Sequence, residues 1–156
     1  MSVAKWQASD IAVDTSNERA TLTFAEEISP TEAAVLTIDF KGTMNNAMGG
    51  FYRAKYKPTV TPSPGTAKDG DDYYMLSTQF EACDARRAFP CFDEPNLKAT
   101  FELDIEIPET LVALSNMPEK ETKKASKEGW KVVSFDKTPA MSTYVGLRSF
   151  TPNILT

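Results

Sequence analysis

The stretch from Gln79 to Pro95 sets polar and ionisable groups among small and aromatic residues, and it is the one part of the chain that strand-like alternation does not explain. Glu81 stands between Phe80 and Ala82. A carboxylate in such company is partly desolvated and needs a cation or several donors to stay ionised. Arg86 or Arg87 is the first internal candidate, and a ligand carrying positive charge is the second. Asp84, Asp93 and Glu94 can likewise neutralise the two arginines in a structural network.

The chain has 156 residues, a net charge of −5 and no histidine. Without imidazole, Ser-His-Asp, Cys-His and His-Glu-x-x-His sites are all excluded, and most hydrolytic chemistry with them. Cys83 and Cys91 are too few for a structural zinc site, and their spacing is not that of a Cys-x-x-Cys redox motif, so they read as reduced thiols. The acidic balance leaves no basic field for nucleic acid or anionic lipid. Lys120 to Lys127, broken by Glu121, reads as a solvated loop. No stretch of about 18 apolar residues and no signal-like start appears, which sets a cytoplasmic expectation and no membrane partner.

The elements that must carry the 79–95 segment read as strands. Ala99, Phe101, Leu103, Ile105 and Ile107 alternate with Thr100, Glu102, Asp104 and Glu106, and Pro108 ends the run. Leu36, Ile38 and Phe40, and Ala20, Leu22 and Phe24, repeat that period. Period-two alternation puts one face in the core and one in water, as in antiparallel sheets. Residues 52–56, 73–78, 111–115 and 130–135 add weaker strand signals from aromatic and aliphatic content. Asn45, Asn46, Gly49 and Gly50 mark a tight bend before Phe51. Pro58–Gly70 and Pro118–Gly129 read as loops, and Pro30–Ala34 as at most one helical turn. The fold class expected is all-β, with mainly antiparallel, sandwich-like sheets.

Four strings carry a resemblance. Met48-Gly49-Gly50-Phe51-Tyr52-Arg53, Gln79 to Pro95, Leu111-Val112-Ala113-Leu114-Ser115-Asn116-Met117 and Met141-Ser142-Thr143-Tyr144 together resemble the N-terminal domain of M1-family zinc aminopeptidases, particularly the cytosolic puromycin-sensitive type and its fungal relatives. The resemblance runs from about Trp6 to Tyr144. It implies a saddle-shaped β domain that packs on a separate thermolysin-like catalytic domain. It implies that Glu81 takes the free α-ammonium of a peptide substrate together with a Glu of that other domain. Gln79 would line the pocket for the first side chain, and a non-proline cis peptide would follow Glu81.

The chain departs from the family in lacking the Gly-x-Met-Glu-Asn and His-Glu-x-x-His motifs, the distal zinc-binding Glu and the transition-state tyrosine. No catalytic and no metal-binding residue is therefore assigned here, and zinc belongs to the family's separate catalytic domain. The expectation is an incomplete domain over residues 1–144 followed by a divergent tail over 145–156, with peptides bearing a free N-terminus as partners in an intact enzyme. The alternatives are a free-standing β module that binds a protein or peptide without chemistry, and a degraded gene product. The purified chain is expected to hold no stoichiometric zinc by atomic absorption and to release no fluorophore from aminoacyl substrates; chelator-sensitive turnover would contradict this.

Overall fold

The computed structural model describes residues 6–29, 33–56, 73–146 and 148–152, the last of these as backbone only. The expected Pro58–Gly70 loop and residues 30–32 of the expected helical turn lie outside the described residues. Two compact units divide the chain after Asp39.

The first unit holds one antiparallel hairpin, β1 (Ala8–Asp14) and β2 (Arg19–Phe24), in the register Asp14 to Arg19 through Ala12 to Thr21. Its four-residue loop is closed by the Asp14 carboxylate, which accepts from the Ser16 hydroxyl at 2.6 Å and from the Asn17 side-chain amide at 2.7 Å. Those bonds, with the backbone N–H groups of Asn17 and Ser16, lower the Asp14 pKa to about 2. The alternation at Leu36, Ile38 and Phe40 does not become a strand. These side chains are exposed, and no described strand offers that segment a backbone ladder to join. Alternation selects a face only when a partner strand and a core exist to receive it.

The second unit contains two antiparallel sheets. One has four strands in the order β3 (Gly50–Tyr56), β4 (Tyr73–Gln79), β9 (Arg148–Pro152) and β6 (Leu111–Ser115). The other has three, β5 (Asp104–Pro108), β8 (Trp130–Phe135) and β7 (Glu119–Lys124). Ile105 and Ile107 of β5, Ala113 of β6 and Val133 and Phe135 of β8 form the buried cluster, with Phe51 and Leu76 of β3 and β4 packed against it. Apolar residues of both sheets therefore share one core, as the sandwich-like expectation required. The chain passes from the smaller sheet to the larger through only Glu109 and Thr110, and the Glu109 N–H is held by the Gly129 carbonyl at 2.9 Å.

Three local differences from the sequence reading have physical reasons. The long alternating run keeps its inward face at Leu103, Ile105 and Ile107, yet regular pairing starts only at Asp104. Before it the contacts are irregular: the Thr138 N–H donates to the Phe101 carbonyl at 3.0 Å, while the Phe101 N–H goes to the Thr138 hydroxyl at 2.9 Å in place of a backbone carbonyl. Residues 119–124, expected as loop, form β7: every side chain is exposed, but the backbone pairs with β8. As an edge strand it carries Lys120, Lys123 and Lys124, which discourage pairing with another chain. Arg148–Pro152, where the apolar pattern fades, forms β9 between β4 and β6. Phe135→Ala is expected to cost about 3–5 kcal/mol of stability, whereas Ile11→Ala, at a site 61% exposed, should cost about 0.5 or less, as measured by urea unfolding.

Candidate functional site

The 79–95 segment is positioned from two sides. On one side is the bend that starts β3. The Asn45 side chain accepts the Ala47 N–H at 2.7 Å and donates to the Gly49 carbonyl at 2.7 Å, so the predicted bend is present and tightly drawn. Gly50 has φ +69, and a β-carbon there would stand 2.7 Å from the Arg87 β-carbon. A side chain is excluded both by conformation and by space. The glycine pair thus lets the 84–87 turn lie directly on the start of β3.

On the other side β4 ends at Gln79, opposite Gly50, with the Gln79 side chain exposed. Phe80 turns inward and is 1% exposed, meeting Phe89 edge-on with ring centroids 6.1 Å apart. Glu81 turns outward again and is exposed, and the Glu81-Ala82 peptide is cis, as the resemblance implied. The chain then reverses: the Asp84 N–H reaches the Phe80 carbonyl at 2.9 Å, and a single 3-10 turn over Ala85–Arg87 follows, with Ala85 fully buried.

The arginines pair with aspartates. Arg87 Nε lies 2.8 Å from Asp84 Oδ1, in a contact exposed enough to be worth little. Arg86 Nε lies 3.1 Å from Asp93 Oδ2, the Arg86 N–H donates to the same oxygen, and Arg86 Nη2 donates to the Asp93 carbonyl. The Thr143 hydroxyl donates to Asp93 Oδ1 at 2.6 Å from fifty residues away. Glu94 is exposed. Glu81 has no ion-pair partner among the described residues, so the internal partner proposed first on chemical grounds is not the one the arginines adopt.

Burial raises the Asp93 pKa, but the Thr143 hydroxyl, the Arg86 N–H and the Arg86 guanidinium outweigh it, and the net shift is down from 3.8. The charged form is the one these donors fit. Thr143 belongs to the 143–145 turn, which is fastened again by the Ser142 hydroxyl on the Pro95 carbonyl and by the Thr78 hydroxyl on the Gly146 carbonyl at 3.1 Å. The Met141–Tyr144 string thus acts through the hydroxyls of Ser142 and Thr143, a role that its residue types alone do not announce. Nothing local in the sequence joins residue 143 to residue 93.

Neither described cavity is lined by Gln79 or Glu81. One, of about 20 Å3, lies among Phe80, Phe89, Phe101 and Phe135. The other is an open apolar groove of about 510 Å3 along Phe89, Pro90, Phe92 and Leu97. Gln79 and Glu81 are exposed side chains on either side of a buried anchor. Among the described residues no group of three or more His, Cys, Asp or Glu could hold a metal ion, so zinc does not fit these residues and no step is assigned through it. No helix among the described residues is long and apolar enough to cross a membrane.

Antiparallel sheets with an irregular corner fastened at Asp93 define a sandwich-like β domain. The chain belongs to the Peptidase M1 N-terminal domain family, which matches residues 2–145. It is 45% identical to the alanine/arginine aminopeptidase of Saccharomyces cerevisiae over 142 residues, 88% of this chain and 15% of that protein. It is 43% identical to aminopeptidase M1-D of Oryza sativa over 136 residues, 87% of this chain and 14% of that one. A third relative, "Aminopeptidase 2, mitochondrial" of S. cerevisiae, is 49% identical over 112 residues, 72% of this chain and 11% of its own length. The chain therefore spans a small fraction of the curated relatives that it matches.

Removing the Asp93 carboxylate takes away the acceptor that the Arg86 N–H, Arg86 Nε and the Thr143 hydroxyl share, so Asp93→Ala is expected to cost about 2–3 kcal/mol at pH 7. Because the folded pKa is depressed, this contribution is fully present above the ordinary value of 3.8 and fades as pH falls through the lower folded value. Urea unfolding of both proteins at pH 7 and again in strong acid checks it: the gap between them should close in acid.

Proposed function

We propose that this chain supplies the N-terminus-reading surface of a zinc aminopeptidase whose hydrolytic centre lies on a different domain. Glu81 offers its carboxylate to the α-ammonium of a peptide, and Gln79 stands beside the first side chain. The observation that carries this reading is the outward-facing Glu81 carboxylate, left without an ion-pair partner among the described residues while both neighbouring arginines are engaged by aspartates.

The chemistry fits an exopeptidase. The α-amine, with an ordinary pKa of about 7.7–8.0, is the charge that tells a chain end from a chain middle. A carboxylate aimed at it fixes register and stops deeper insertion. One exposed carboxylate alone binds an amine weakly, so the reading requires a second acidic group from the catalytic domain and exclusion of water at the joint site. Zinc and the proton-transfer groups belong to that domain, free N-terminal peptides are the substrates, and the cytoplasm is the proposed setting.

The test grafts this chain in place of the matching segment of the yeast alanine/arginine aminopeptidase. With Glu81 present the graft should cleave aminoacyl fluorogenic substrates. Glu81→Ala should lower kcat/KM about 10- to 100-fold, chiefly through KM, as expected for loss of one charge-assisted hydrogen bond. Equal kcat/KM for the two grafts would refute the role of Glu81.

A further inference from the structure

We propose that Asp93, acting with Thr143, is the positioning residue for the loop that carries Glu81; this rests on the reading of Glu81 given above. Three features lead to it. First, the bonds within the loop are short-range: between Phe80 and Phe89 it holds backbone bonds of one reversal and one 3-10 turn without a side-chain cap, and the Arg87–Asp84 pair is exposed. Second, Asp93 is 8% exposed, yet both of its carboxylate oxygens are taken, one by the N–H and Nε of Arg86 within the turn, the other by the Thr143 hydroxyl. One side chain thus joins the turn to a segment that is remote in sequence. Third, that segment touches the loop's other end. A β-carbon at Gly146 would lie 3.2 Å from Phe80, and the Gly146 carbonyl accepts the Thr78 hydroxyl.

Glu81 sits between Phe80, which abuts Gly146, and the turn that Asp93 grips. Its main chain is therefore flanked on both sides by residues held against the same 143–146 segment. A carboxylate that must meet an ammonium group within hydrogen-bond distance gains from such pre-set backbone, because ordering the loop at the moment of binding would subtract from affinity.

Amide hydrogen exchange of the chain in solution tests this, with Asp93→Asn, Thr143→Val and Thr143→Ser. The loop amides of Asp84, Arg86, Ala88 and Phe89 report the clamp, and those of Val133 and Phe135 in β8 report the fold as a whole. Asp93→Asn and Thr143→Val should each speed loop exchange by about tenfold or more while β8 is unchanged, and Thr143→Ser, which keeps the hydroxyl, should restore loop protection. In the grafted enzyme Asp93→Asn should raise KM with kcat held. Loop and β8 amides quickening together, or neither responding, would overturn the proposal. Should Asp93→Asn fail to fold, Thr143→Val against Thr143→Ser carries the same comparison. Selective loosening of the loop, combined with a Glu81→Ala graft that behaves like its parent, would support the clamp and defeat the recognition reading.

Discussion

A carboxylate taken out of water has to be matched by donors, and Asp93 is matched by three groups from two distant segments. That requirement organises the irregular part of the molecule. Because Arg86 answers Asp93, the 3-10 turn is held with Ala85 inward. Because Thr143 also answers it, the 143–145 turn is drawn against the loop, and the chain leaves that turn to run as β9 beside β4. Desolvation acts against the charged form and the hydrogen bonds act for it; the lowered pKa shows that the hydrogen bonds win.

Alternation reported β2 and β5 directly, and aromatic and aliphatic content marked β3, β4, β6 and β8 more weakly. Ile105 and Ile107 point inward where their period places them. Four segments were not legible in that way, and one of them, β1, was not read as a strand at all. The apolar residues of 36–40 have the right period but no described partner strand, since a pattern states which face would be buried and not whether anything is there to bury it. β7 is charged throughout because it is an exposed edge, where backbone pairing needs no apolar face. β9 was hidden because the apolar alternation fades in its sequence.

The candidate site divides along the same line. Glu81 stood out by residue type and by resemblance, and Gln79 by resemblance alone; the structure adds the buried Phe80 between their exposed side chains. The arginine partners did not stand out. Charge alone made Glu81, Asp84, Asp93 and Glu94 equivalent, and only the fold separates a buried aspartate from an exposed glutamate. The glycines of the 49–50 pair were read as a bend; the structure adds the closer reason, which is the approach of Arg87 to a position where no β-carbon fits. On the proposed reading, Glu81, which is exposed and lines neither of the two described cavities, would complete a pocket formed with another domain.

The most direct measurement is a crystal structure of the yeast alanine/arginine aminopeptidase carrying this chain in place of its own matching segment, with a non-hydrolysable peptide bound. The account predicts a Glu81 carboxylate oxygen about 2.7–2.9 Å from the peptide's α-ammonium nitrogen. A Glu81 side chain turned onto Arg86 or Arg87, with the ammonium held entirely by other residues, would contradict it.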